Sequence, residues 1–232
     1  MHHTAIQNGK MFFDTYVSPM ERPTVLDIGS QDINGTLRQV CPHRATYVGV
    51  DFSPGKNVDV VLDDPYKLTF EDESIDIVVS SSCFEHSEMF WILYLEIMRV
   101  LRPSGLFYLN APSNGPYHRF PVDCWRFYPD CGSALLCWGR RNGLNGAILE
   151  SYVSNPYMLN QYLEPWQDFV CVFIKDESRV NRHPRRILNS FGDFTNGLAP
   201  SENGGMQLRN PTWPIEGLES IAANATEDKV CH

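Results

Sequence analysis

Three groups of residues in this chain have the types and spacing to do chemistry. The first is TVLDIGSQDINGT, Thr24 to Thr36, where a β-branched and apolar run meets an acid at Asp27 and then a turn holding Gly29, Ser30 and Gly35. A strand feeding a glycine turn and a helix lets the backbone approach a ligand closely, and the helix N-terminus adds unpaired N–H groups. The second is Asp51, about twenty residues further on at the end of the apolar run YVGVDF, where a carboxylate can take both hydroxyls of a ribose. The third is Ala111 to Asp130, APSNGPYHRFPVDCWRFYPD, which crowds Tyr117, His118, Arg119, Asp123, Trp125 and Arg126 into one proline-rich segment. An imidazole titrates near neutrality, so His118, oriented by Asp123, can take the proton of a hydroxyl nucleophile. His86, beside Glu85, is the second candidate base, with a pocket-shaping role as its plainer reading.

The glycine spacing narrows the ligand. A dinucleotide turn reads G-x-G-x-x-G, whereas Ser30 follows Gly29 here and the next glycine is Gly35, so a tight pyrophosphate-hugging turn is not expected. The loop also lacks the G-K-[ST] of a phosphate-cradling site. What remains is a site for a single adenosine-containing cofactor.

Elements that position these residues alternate along the chain. Strands are expected at Thr24 to Ile28, Thr46 to Val50, Val58 to Leu62, Ile75 to Ser80, Leu106 to Asn110, Ala147 to Val153 and Phe169 to Lys175, with helices between them. The clearest helix spans Glu88 to Leu101, with Ser87 able to cap it and Pro103 and Gly105 closing it. Others are expected over Thr36 to Val40 and from Asp130 to just before Gly143. Residues 1–176 form one domain on this reading. Residues 177–232 form an extension, irregular or partly covering the domain. The extension holds a basic cluster, Arg179, Arg182, His183, Arg185 and Arg186, which reads as a solvated loop or as a clamp for an anionic group such as a sugar-linked diphosphate.

Bulk properties exclude several classes. Lys and Arg total 19 against 28 Asp and Glu, and a formal charge of −9 disfavours nucleic acid as a partner. Seven cysteines without a ligand cadence read as reduced thiols. No run of about 18 apolar residues and no signal-peptide core is present, so a cytoplasmic protein without a membrane span is expected.

The ordered motifs LDIGSQDING, VGVDF, DDPYKLTFEDESIDIVVSSSCFEH and RVLRPSGLFYLNAP resemble those of the class I S-adenosylmethionine-dependent methyltransferases of type 11 kind, over about Val25 to Pro112. That resemblance implies an α/β, Rossmann-like, doubly wound sheet of seven mostly parallel strands, the last antiparallel, with helices on both faces. It also implies S-adenosylmethionine as cofactor and S-adenosylhomocysteine as product. Asp51 matches the ribose-binding acid, and Phe52 can lie against the adenine. Gly29, with Ser30 in the same turn, faces the methionine portion, and Asp27 orders the turn or reaches the ligand ammonium through water. Asp64, or Asp63 in the alternative register, accepts from the adenine amino group. Ser82 and Cys83 meet the ligand through backbone carbonyls, and Tyr16 is a lid residue whose ring face can stabilise the sulfonium.

Ala111 to Asp130 resembles a subgroup associated with surface glycan and sugar modification, which implies O-methylation of a sugar hydroxyl on a glycan or nucleotide-linked sugar. On that reading Trp125 stacks on the sugar, Tyr117 lines its site, and Arg119 or Arg126 holds a phosphate or carboxylate. An Arg and Asp here can equally tie the loop together. Asp63, Asp64 and Glu85 lie on separate loops with no local metal motif, so no metal is expected. N- or O-methylation of a small metabolite is the alternative. An NAD-dependent sugar oxidoreductase or epimerase, or a non-catalytic nucleoside-binding subunit, stands in a different class. The oligomeric state is left open.

Overall fold

The structure is a computed structural model. It describes residues 2–156, 158–159, 162–163, 166–201 and 205–212. Among the described residues eleven strands run in chain order: β1 (Thr24–Ile28), β2 (Thr46–Asp51), β3 (Val60–Val61), β4 (Ile75–Ser81), β5 (Leu101–Pro112), β6 (Ala147–Ser154), β7 (Met158–Leu159), β8 (Tyr162–Leu163), β9 (Asp168–Ile174), β10 (Phe194–Pro200) and β11 (Met206–Arg209). Three α-helices accompany them: α1 (His3–Phe12), α2 (Phe90–Val100) and α3 (Cys131–Arg141).

Nine strands form one sheet in the order β11-β10-β6-β9-β5-β4-β1-β2-β3, and β7 with β8 forms a separate pair. β3, β2, β1, β4 and β5 are mutually parallel, whereas β9 is antiparallel to both β5 and β6. The expected seven-stranded, mostly parallel arrangement with an antiparallel last strand is the centre of this sheet. Beyond it, part of the 177–232 extension adds β10 to the edge of β6 and β11 to β10, both antiparallel. This section of the extension is therefore sheet. No apolar alternation marks it, because all four residues of β11 are exposed.

The sheet is covered on both faces, and its central strands divide their side chains by parity. Along β9, Phe169, Cys171 and Phe173 enter one core while Val170, Val172 and Ile174 enter the other. β5 divides likewise, with Phe107 and Leu109 opposed to Leu106 and Tyr108. A strand buried on both sides needs an unbroken apolar run, which LFYL and FVCVFI supply. The first core takes its cover from α2, through Leu93, Tyr94, Ile97 and Met98, and from Leu135 of α3. The second is covered by Phe12 of α1, by Phe13, Tyr16 and Val17 of the π-helical turn after it, and by Ile187 and Leu188.

Several local expectations change. Thr36 to Val40 is a single 3-10 turn, Leu37–Gln39, capped by Thr36 accepting from the Arg38 N–H, so the Gly29 turn does not lead into an α-helix. Ser87 does not cap α2, which starts at Phe90 with no side-chain cap. Pro103 and Gly105 lie within β5 at an irregularity in its pairing with β4, not in a helix-closing loop. Cys41, Cys83, Cys124, Cys131 and Cys171 are free, but Cys137 on α3 is disulfide-bonded, which departs from thiols throughout.

Phe107 and Phe173 stack at 5.6 Å across the β5–β9 pair, fully buried. Phe173→Ala is expected to lower stability by about 3–5 kcal/mol through lost transfer energy and an unfilled cavity. Urea unfolding would show a lower midpoint with an unchanged slope.

Candidate functional site

The strand order reverses between β1 and β4, and the loops at the carboxyl ends of these strands open a crevice, the usual ligand position in such sheets. There the chain forms a cavity of about 980 Å³, large enough for a nucleoside and a second small molecule.

Gly29 sets the floor. It sits at φ +75°, where side chains are strained, and a Cβ on it would lie 2.6 Å from both Cβ and Sγ of Cys83. The Gly29 and Ser30 N–H groups both donate to the Val50 carbonyl, at 3.0 and 3.1 Å, which folds the turn back over β2. The Asn57 amide donates to the Ser30 carbonyl at 2.8 Å and holds the far side of the turn. Gly35, at φ +129°, donates its N–H to Asp32.

Two carboxyl groups stand over this floor. Asp51, at the end of β2, is nearly buried and accepts from the backbone N–H groups of Gln31 and Ser53, both at 3.2 Å. Two backbone donors fix the carboxylate and leave it lone pairs for a ligand. Asp27 is deeper and accepts from the Tyr47 hydroxyl at 2.7 Å. Burial pushes its carboxyl up to about 7, against the opposing effects of the Tyr47 hydrogen bond and the Arg38 charge. Phe52 lines the mouth and is 52% exposed, a free ring face at the site. Ser82 and Cys83 line the β4 side, Ser82 with φ +53° and its N–H on the Asn110 carbonyl.

The opposite end carries ionisable groups in contact. Glu85 is almost wholly buried, and burial pushes its carboxyl up to about 8. His86 lies next to it, with Nε2 3.7 Å from Glu85 Oε1, and burial pushes its imidazole down. The His86 and His118 rings meet edge to face at 5.0 Å. His118 is held by Asp123, which accepts from its backbone N–H at 2.7 Å and lies 3.4 Å from Nδ1. Arg126 grips both oxygens of Asp123 and holds that carboxyl down at about 2. Ser81 Oγ, Glu85 Oε2 and Ser87 Oγ are buried at the cavity wall without a hydrogen-bond partner. Such orphaned atoms are rare in folded proteins and are satisfied by what fills the space beside them.

The cavity thus gathers Asp27, Gly29, Ser30, Asp51, Phe52, Ser82, Cys83, His86, His118 and Arg119 from the residues expected at the site. Others lie elsewhere. Tyr16 is no lid: it is buried in the second core, and its hydroxyl donates to Glu150. Asp63 and Asp64 are exposed beside the cavity without lining it, and Asp64 accepts from the Tyr66 N–H as a turn residue. Arg126 is spent on Asp123 and on the Pro116 and Trp125 carbonyls, so it ties the loop and holds no substrate. Trp125 packs against Phe90 and Trp91 and donates its indole N–H to the Ser87 carbonyl, away from the cavity. Tyr117 is 72% exposed and does not line it, and Asp123 reaches it only through His118.

The basic cluster of the extension lies at the other end of the sheet. His183 contacts the Ser104 carbonyl and Arg186 donates to the Leu149 carbonyl, both near the starts of their strands, so no anion clamp forms over the cavity. Several wall residues carry no signal of their own in the sequence, His2 and Trp166 among them. His2 and Trp166 stack at 5.4 Å, and Trp166 also meets the His118 ring at 5.2 Å. Gly115 could have signalled Trp166: it sits at φ +103°, and a Cβ there would lie 2.1 Å from the indole.

Comparison with known proteins matches residues 26–109 to the methyltransferase domain family. A phthiotriol/phenolphthiotriol dimycocerosates methyltransferase of Mycobacterium ulcerans is 38% identical over 88 residues, 36% of this chain; the match spans only 28% of that relative's length. Among solved structures, the 1,6-didemethyltoxoflavin-N1-methyltransferase of Burkholderia thailandensis superposes with a TM-score of 0.53 at 13% identity, covering 75% of this chain and 79% of that one. The YcgJ protein of Bacillus subtilis gives 0.51 at 16%, covering 76% and 100%. The arrangement of strands around the cavity agrees with the match: residues 26–109 are similar to the methyltransferase domain family, within a sheet of the class I, Rossmann-like kind.

Proposed function

We propose that this chain transfers the methyl group of S-adenosylmethionine to a hydroxyl oxygen, most simply that of a sugar, on a glycan or nucleotide-linked. The observation that carries the reading is the Asp51 carboxylate, fixed by two backbone N–H groups at the mouth of the crevice between β1 and β4. Its free lone pairs suit a ribose diol. Phe52 offers its ring to the adenine, the Gly29–Ser30 turn and the Ser82–Cys83 backbone enclose the methionine portion, and Asp27 receives its ammonium. The solved toxoflavin methyltransferase holds S-adenosylhomocysteine on the same fold.

The acceptor lies at the other end, against His118, Arg119 and the Trp166–His2 stack. These rings and polar groups suit a ligand with apolar faces and hydroxyl edges. In the reaction the acceptor oxygen attacks the methyl carbon in line, the C–O bond forms as the C–S bond breaks, and the electron pair of that bond stays on sulfur as the thioether. The hydroxyl proton passes to His118. The Nδ1 of His118 faces only acceptors, the Pro116 carbonyl at 3.2 Å and the Asp123 carboxylate, so it carries the hydrogen and leaves Nε2 its lone pair.

Three measurements test this. Calorimetry should show S-adenosylhomocysteine binding without NAD binding, weakened by about 1–3 kcal/mol in Asp51→Ala; the reverse preference would reject the donor. Because Asp27 must lose a proton to meet an ammonium, and burial places its carboxyl near about 7, affinity should rise from pH 6 to pH 8 and become flat in Asp27→Asn. A His118→Ala variant should keep that affinity yet lose about a hundredfold or more in methyl transfer to a responsive glycan or nucleotide sugar. Unchanged turnover would remove His118 from the proton path.

A further inference from the structure

The structure assigns a divalent-cation site to Glu85, His86 and His118, at the acceptor end of the cavity. One ligand atom from each residue lies within 4.8 Å of the other two. No metal motif marks it in the sequence, because two of the three are adjacent in the 3-10 turn after β4 and the third comes from the loop after β5.

Three observations carry the assignment. First, in both imidazoles Nδ1 is engaged by acceptors, which leaves Nε2 as the ligating nitrogen. His86 Nδ1 faces the Val122 carbonyl, an acceptor only, so that nitrogen bears the hydrogen and Nε2 is left with a lone pair, directed toward Glu85 at 3.7 Å. His118 is oriented in the same way by the Pro116 carbonyl and Asp123. A ring N–H donated to a carbonyl or carboxylate, with the other nitrogen free, is the outer-shell pattern that orients ligating histidines. Second, Glu85 lines the cavity yet is only 1% exposed, and Oε1 is its oxygen close to His86, at 3.7 Å. Third, the spacing suits a single ion: ligands at about 2.1 Å from one centre stand roughly 3–4 Å apart, which the Glu85–His86 pair already meets. His118, on its loop, has a short distance to close.

Two imidazoles and one carboxylate, with the cavity side open, suit zinc or a neighbouring first-row divalent ion better than magnesium. The assignment rests on the proposed methyl transfer and deepens it. A cation here would meet the acceptor oxygen directly and lower the pKa of its hydroxyl, so that the proton would leave to water while the His118 lone pair is held by the ion. It would also set a positive charge beside the buried Glu85 carboxyl.

Cobalt(II) titration of the untagged full chain tests the site, read by visible d–d absorption and by calorimetry. One ion per chain is expected, with affinity falling about tenfold or more in each of Glu85→Gln, His86→Ala and His118→Ala. Binding of S-adenosylhomocysteine should persist in those variants, whereas Asp51→Ala should lose the nucleoside and keep the cobalt spectrum. Absent saturable binding, or cobalt binding indifferent to all three substitutions, overturns the site and leaves His118 as the base. Failure of the wild-type chain to bind S-adenosylhomocysteine would sink the donor reading instead, while the cobalt spectra of the variants still decide the metal site.

Discussion

The close approach of Gly29 to Cys83 is the constraint on which the site depends. The ends of β1 and β4 can converge only because position 29 lacks a side chain and tolerates a positive φ. That convergence brings the end of β1, with its buried Asp27, and the turn after it against the β4 loop that carries Ser82 and Glu85. The turn also folds back onto Val50, which places Asp51 beside it. One backbone geometry therefore aligns the glycine turn and the ionisable end of a single cavity.

The sheet makes that geometry stiff. Its central strands are buried on both faces, so the register that delivers Asp27, Asp51 and Ser81 to one edge is fixed by two cores at once. Glu150 extends the same logic to the periphery. It accepts from Tyr16 and from the Ile187 and Leu188 N–H groups, joining β6 to the N-terminal turn and to the segment after β9. A buried carboxylate with several donors is satisfied only when all of these segments are in place.

The half of the cavity at the ends of β1 and β2 was legible in the sequence because its signals are local. Asp27, Gly29 and Asp51 each sit where an apolar strand stops, and strand ends show as breaks in an apolar run. The half near His118 was legible only in part. His118 and Asp123 stood out within one crowded loop, but the same crowding made Arg126 and Trp125 look available when they are engaged with Asp123 and Ser87. Composition cannot separate a side chain facing a ligand from one bracing its own loop. Trp166 and His2 were invisible for a different reason: they come from distant parts of the chain and meet only through tertiary packing. The missing helix after Gly35 reflects length, since a turn of three residues cannot propagate as an α-helix without further packing.

The Trp166–His2 stack joins three remote stretches of chain over one half of the cavity, while the other half is shaped almost entirely by the ends of β1, β2 and β4. The two halves are thus separable in inheritance. Exchanges at the roof can reshape one half of the cavity without disturbing the backbone turns that build the other, so a lineage can vary the first while the second stays the same.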